Sequence, residues 1–143
     1  PRQQGWRMKV GLLLVTHGKL GRHMLDTMTE MMGALPLAAD VLEVRRVQSP
    51  EAMLGQGSKM IERLDTGAGV LILTDAFGST PSNIANRLNV SERTRVVAGI
   101  NLPMLVRIFN YPQMTLEEMA GTAVEGGQRG IVNCPRAVAG DGK

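Results

Sequence analysis

Two uninterrupted apolar runs, each ending on a side chain capable of chemistry, constrain this chain more than any other feature. Val10-Gly11-Leu12-Leu13-Leu14-Val15-Thr16 leads directly into His17-Gly18, and Gly69-Val70-Leu71-Ile72-Leu73-Thr74 leads into Asp75. Neither run alternates apolar with polar residues, so neither suits a sheet with one wet face. Such runs mark strands covered on both faces, the condition of a parallel sheet packed between helix layers. Open α/β sheets collect their sites outside the carboxyl ends of the strands. If the two strands are neighbours, His17 and Asp75 meet at that edge.

The intervening sequence reads as helices and further strands. Leu20, Met24, Leu25, Met28, Met31 and Met32 recur at helical spacing, and Gly33 stops that helix. Residues 40–47 predict a second strand. Ser49-Pro50-Glu51 combines a hydroxyl cap, a proline at the first helical position and an acid favoured by the helix dipole. The helix it opens runs to about Leu64, with Gly55 and Gly57 weakening it. Thr80-Pro81 repeats the cap-plus-proline signal and opens a helix through Leu88. Residues 95–100 predict a fourth strand, followed by a short helix through Phe109. Thr115 and Glu118 have capping-box spacing and open a last helix to about Gln128. Residues 130–134 predict a final short strand. The alternation implies an α/β fold: a mostly parallel open sheet of about four strands, helices on both faces, one domain over 9–134. Residues 1–8 read as an N-terminal extension, with Met8 a natural start, and 135–143 as a flexible tail.

With 143 residues, 43% of them hydrophobic and 20% charged, the chain can bury a full core without staples. The net charge is only +3, and Arg45-Arg46 is the single adjacent basic pair, so no nucleic-acid binding is expected. Cys134 is alone, makes no internal disulfide, suits a reducing compartment and is expected to be a small residue ending a strand. No apolar run approaches the roughly 18 residues of a membrane helix, and no signal-peptide core precedes the first strand, so no membrane insertion is expected.

His17 is the candidate nucleophile. A neutral imidazole attacks phosphorus only through the nitrogen that carries no proton. A carboxylate that accepts from the other nitrogen fixes that tautomer and supports the charge that develops. Asp75 is the right residue type, and the expected assignment is Asp75 on Nδ1–H with Nε2 attacking. Gly78 lets the backbone approach closely. The Thr80 hydroxyl and the amides beyond Pro81, at Ser82 and Asn83, are expected to bind a phosphoryl group at the helix start. No lysine follows the glycines, so nucleotide binding finds no support. His23 is expected to be solvated, and Asn101 either lines the site or turns the chain. Two histidines and one cysteine, none at ligand spacing, imply no metal, and no cofactor is expected.

The segments Val15-Thr16-His17-Gly18, 73–83 and 97–105, in this order and at these separations, resemble the mannose/fructose-type IIA component of the bacterial phosphoenolpyruvate:sugar phosphotransferase system. The resemblance spans roughly residues 9–133. It implies a cytoplasmic phosphocarrier whose His17 takes a phosphoryl group from phospho-HPr and either passes it to a IIB component or other phosphoryl acceptor or serves as a regulatory readout. It further implies that Asp75 hydrogen-bonds that histidine and that Thr80 contacts the phosphoryl group. It also implies a homodimer that exchanges a short antiparallel C-terminal strand, here residues 131–134. Sugar-transporting members often continue into a IIB domain, whereas here a short tail follows, so a free-standing IIA protein is expected. A collar of Phe77 and Leu102-Pro103-Met104 is expected to admit a partner while excluding water.

Three rival readings stand beside this one. The phosphocarrier subunit of a dihydroxyacetone kinase system resembles the same family and uses the same chemistry. A hydrolase with a His17–Asp75 dyad lacks a serine or cysteine nucleophile in a sharp elbow. A non-catalytic binding module would keep His17 as a structural residue.

Overall fold

The computed structural model describes residues 9–138; the expected N-terminal extension over 1–8 and the end of the expected tail, 139–143, lie outside them. Four strands, β1 (Gly11–His17), β2 (Ala39–Val44), β3 (Val70–Thr74) and β4 (Thr94–Ala98), form one sheet in the order β2-β1-β3-β4. All three strand pairs are parallel. The helices α1 (Leu20–Met32), α2 (Pro50–Leu64), α3 (Thr80–Leu88), α4 (Leu102–Asn110) and α5 (Leu116–Arg129) connect and cover it. The expected fold class is therefore the observed one.

The unbroken apolar runs are explained by two cores, one on each face. Leu12 and Leu14 of β1 and Leu71 and Leu73 of β3 pack with Leu25 and Met28 of α1, Leu105 and Ile108 of α4, and Met119 of α5. Leu13, Val15, Val70 and Ile72 turn the other way, onto Met53 and Met60 of α2 and Ile84 and Leu88 of α3. Leu12, Leu13 and Leu14 are all fully buried, which only a strand sandwiched between helix layers allows. Each such leucine contributes about 1.5–3 kcal/mol by leaving water.

The chain leaves β1 for β2 on one side and then crosses to β3 on the other. The crossing point lies between the carboxyl ends of β1 and β3, where an open α/β sheet leaves a crevice. Parallel register puts Val15 opposite Thr74 and His17 opposite Val44, so His17 and Asp75 both emerge at this edge.

One expected element is not formed within the chain. Residues 131–138 adopt no regular structure and pair with none of the four strands. Ile131 and Val132 are 76% and 64% exposed, and Cys134 is exposed rather than closing a strand. A strand needs a neighbour to take its backbone hydrogen bonds, and this segment pairs with neither open edge of the sheet, β2 or β4.

Candidate functional site

β1 delivers His17 as its last residue, and the next residue, Gly18, turns the chain into α1 with φ +47°. α1 has no side-chain cap at Lys19, but the buried Thr16 hydroxyl accepts from the Gly21 N–H at 2.8 Å. That bond ties the start of α1 to the strand beneath the histidine. β3 ends at Thr74, and Asp75 follows in the turn toward α3. Asp75 Oδ2 lies 2.7 Å from His17 Nδ1 and accepts from the His17 backbone N–H at 2.9 Å. One oxygen thus grips the ring and the main chain of the same residue. Asp75 Oδ1 accepts from the Ala76 N–H at 2.8 Å.

The Asp75 side chain is 11% exposed and that of His17 59% exposed. Burial alone would push the Asp75 carboxyl up. The bonds from the His17 backbone and ring and from the Ala76 N–H outweigh it and hold the carboxyl below its ordinary value. Asp75 is therefore an anion braced from three sides, and it favours the tautomer with a proton on Nδ1. The nitrogen left for a reaction partner is Nε2.

The turn between Asp75 and α3 differs from expectation in one respect. The N-cap of α3 is Ser79, not Thr80, so Thr80 and Pro81 occupy the first and second helical positions. Two adjacent hydroxyl residues precede the proline, and proline fits either of the first two positions, because neither amide there has a helical partner. The Ser79 hydroxyl lies 2.6 Å from the Ala76 carbonyl oxygen and 3.3 Å from Asp75 Oδ1, and it faces the Ser82 N–H at 3.5 Å. In the sequence Ser79 is hidden by Thr80, which offers the same capping signal one residue later.

Gly78 sits at φ +87°, a conformation that favours glycine, and donates its N–H to the Ser82 hydroxyl at 3.2 Å. Ser82 is buried and faces inward to hold this turn. The Asn83 N–H is engaged with the Ser79 carbonyl oxygen at 2.9 Å, while its side chain stays exposed. Of the expected phosphate-binding residues, Thr80 lies beside His17, lining the same groove. Asn101 turns out to cap α4: its Oδ1 accepts from the Met104 N–H at 2.9 Å and its Nδ2 donates to the Gly127 carbonyl at 3.0 Å. His23 is exposed on α1.

The groove has a volume of about 440 Å³ and is lined by His17, Val44, Arg45, Arg46, Gln48, Pro50, Met53 and Thr80. The two arginines enter from the end of β2, on the side of β1 away from Asp75. Charge alone marks them as no more than an isolated basic pair. The signal that places them is the parallel pairing of His17 with Val44, which sets the next two residues at the same sheet edge. Phe77 and Val47 are 84% and 91% exposed, on the loops after β3 and β2 that flank His17. Met104, expected in the collar, is buried in the core instead. Among the described residues, no cluster of His, Cys, Asp and Glu is placed to hold a metal, and no helix is long and apolar enough to cross a membrane.

A parallel four-stranded sheet with a carboxylate-held histidine at its crossing point defines a class of protein, and comparison with known proteins identifies the family. The family described as PTS system fructose IIA component matches residues 11–124, and the chain belongs to it. The chain is 30% identical over 127 residues to the mannose-specific EIIAB component of the phosphotransferase system from Escherichia coli. That match covers 87% of this chain and 39% of the relative, so the chain spans about two fifths of that protein's length. The mannose/sorbose-specific IIA subunit from Enterococcus faecalis superposes with a TM-score of 0.78 at 25% identity, covering 91% of this chain and 99% of that one. A PTS IIA protein associated with the fucose utilization operon of Streptococcus pneumoniae shares the fold, with a TM-score of 0.73 at 22% identity over 89% of this chain and 94% of that one.

Proposed function

We propose that this chain is a phosphocarrier that accepts a phosphoryl group on His17 Nε2 from a phospho-HPr-like donor and passes it to a IIB-type acceptor. The observation that carries this reading is the 2.7 Å contact between Asp75 Oδ2 and the Nδ1 of a histidine whose side chain is 59% exposed. In the accepting step, the Nε2 lone pair forms a bond to phosphorus as the phosphorus–nitrogen bond to the donor histidine breaks. The donor imidazole leaves with that electron pair. Positive charge spreads over the His17 ring, and Asp75 faces it through Nδ1–H. In the donating step the same events run toward the acceptor.

The chain's part is positioning and electrostatic support, since both bonds exchanged are of similar transfer potential and nothing else must be generated. Thr80, beside His17 in the groove, supplies a hydroxyl for a phosphoryl oxygen. Phe77 and Val47 on either side suit a modest apolar contact that forms and releases quickly, as exchange between two partners requires. The same reading places the work in the cytoplasm and makes the chain one half of a homodimer.

The test is labelling. The protein is incubated with phosphoenolpyruvate, the general phosphotransferase enzyme and HPr, and an acid-labile, base-stable phosphate is sought on His17. His17→Ala is expected to abolish the label while leaving the fold intact. Undiminished labelling of that variant, or none on the native chain, removes the proposal.

A further inference from the structure

We infer that the groove on the β2 side of His17 is a binding site for the carried phosphoryl group, with Arg46 as its charged ligand. The inference rests on His17 being the phosphoryl acceptor and goes beyond it by assigning a role to the loop between β2 and α2.

The strand order sets the geometry. β1 lies between β3, which brings Asp75, and β2, which ends in Arg45 and Arg46. Nδ1 of the imidazole is taken on the β3 side. The two ring nitrogens stand on opposite sides of one carbon, so the free nitrogen faces away from the carboxylate. The groove that His17 lines with Arg45 and Arg46 lies on that side, and its volume of about 440 Å³ accommodates a phosphoryl group with room to spare.

The charges in the groove are of one sign. No aspartate or glutamate lines it. Arg45 is committed to Glu43 at 2.6 Å, so part of its charge is spent. Among the described residues, no ion pair or hydrogen bond engages the Arg46 side chain, which stands exposed on the loop. An arginine is suited to this work because its planar fork matches two oxygens of a phosphoryl group. Arg46 gains this partner only when His17 is loaded. It therefore stabilises the phosphorylated state over the bare one and biases the carrier toward holding its cargo.

The experiment compares the native chain with Arg46→Gln, Arg46→Lys and Arg45→Gln after loading from phosphoenolpyruvate through HPr. Three quantities are read: the equilibrium ratio of phosphoryl on this chain to that on HPr, the lifetime of the phosphohistidine, and the phosphorus NMR titration of the phosphoryl group. Arg46→Gln is expected to lower the ratio by about tenfold, the loss of one charge-assisted bond at a part-exposed site. It should also shorten the lifetime and move the phosphoryl titration to higher pH. Arg46→Lys should keep part of each effect, and Arg45→Gln should show less. Matching thermal melts exclude a folding defect.

If Arg46→Gln still labels on His17 with native ratio, lifetime and titration, the inference is overturned and the carrier reading stands. If only the rate of transfer from HPr falls, Arg46 meets an acidic group of the partner protein, and the inference is again overturned. Failure of the native chain to take any label removes both.

Discussion

Asp75 does the most work of any single residue in the candidate site, and it does so with two oxygens serving different ends. Oδ2 holds the His17 ring and backbone, while Oδ1 holds the turn through Ala76. Asp75→Asn keeps the size and can keep one acceptor, but the amide carries no charge and does not enforce a proton on Nδ1. Phosphoryl transfer through His17 is expected to slow by about 10²-fold, read in single-turnover labelling, because tautomer control and charge support are lost together. The same carboxyl links the site to stability. Its folded value is lowered, so as pH falls the unfolded chain takes up this proton first. The stabilisation is complete above the unfolded value near 3.8 and disappears as pH drops through the still lower folded one. Stability of the native chain and of Asp75→Asn should therefore differ by about 1–2 kcal/mol at neutral pH, and the gap should begin to close below the unfolded value near 3.8 and vanish only in stronger acid. A gap that persisted into strong acid would mean that the packing of the side chain, not its charge, stabilises the fold.

At the level of elements, caps and close approaches decide where helices begin and how they pack. Thr115 and Glu118 form a reciprocal pair: the Thr115 hydroxyl accepts from the Glu118 N–H at 3.3 Å, and Glu118 Oε1 accepts from the Thr115 N–H at 3.0 Å. Thr115→Ala is expected to cost about 1 kcal/mol in a denaturant melt and to leave labelling of His17 unchanged, since α5 begins far from the sheet edge. This cap was readable because its two residues lie three apart and need no tertiary context. The apolar spacing and Gly33 that bound α1, and the Ser49-Pro50 start of α2, are likewise local signals. The start of α3 was not, because Ser79-Thr80 offers two equivalent caps and only the Asp75 turn selects between them. Gly57 shows a different limit. Helix propensity marks it as a weakness, yet a Cβ there would meet Leu88 Cδ1 at 2.7 Å, so its smallness lets α2 approach α3. The arginines of the groove were invisible for a third reason: their place beside His17 exists only once β1 and β2 are in parallel register. Local rules thus recover the elements of the sheet and its helices and place His17 and Asp75 at strand ends, while which strand ends meet depends on pairing.

At the scale of the whole molecule, residues 131–138 and the open edges of the sheet belong to one argument. β2 and β4 are the two edges of the sheet, and each presents backbone groups that a further strand can take. Residues 131–138 leave Ile131, Val132 and Val138 exposed, at 76%, 64% and 66%. Three branched apolar side chains in so short a stretch favour an extended, paired conformation. Residues 131–138 pair with no strand of their own sheet, and under the proposed homodimer the segment would be exchanged with a second copy, each chain adding it to the other's edge. An exchange of this kind is symmetric and closes on itself as a two-fold dimer. It also explains why a strand could be read from residues 130–134 and still be missing from the isolated fold: local sequence favours extension but does not say whose sheet completes it. Sedimentation tests this directly. The full chain is expected to sediment as a dimer, and a chain ending at Arg129 as a monomer that retains its helical signal and still accepts phosphate on His17. A full chain that remains monomeric at micromolar concentration, or a shortened one that still dimerises, would show that the exchanged strand is not what joins the copies.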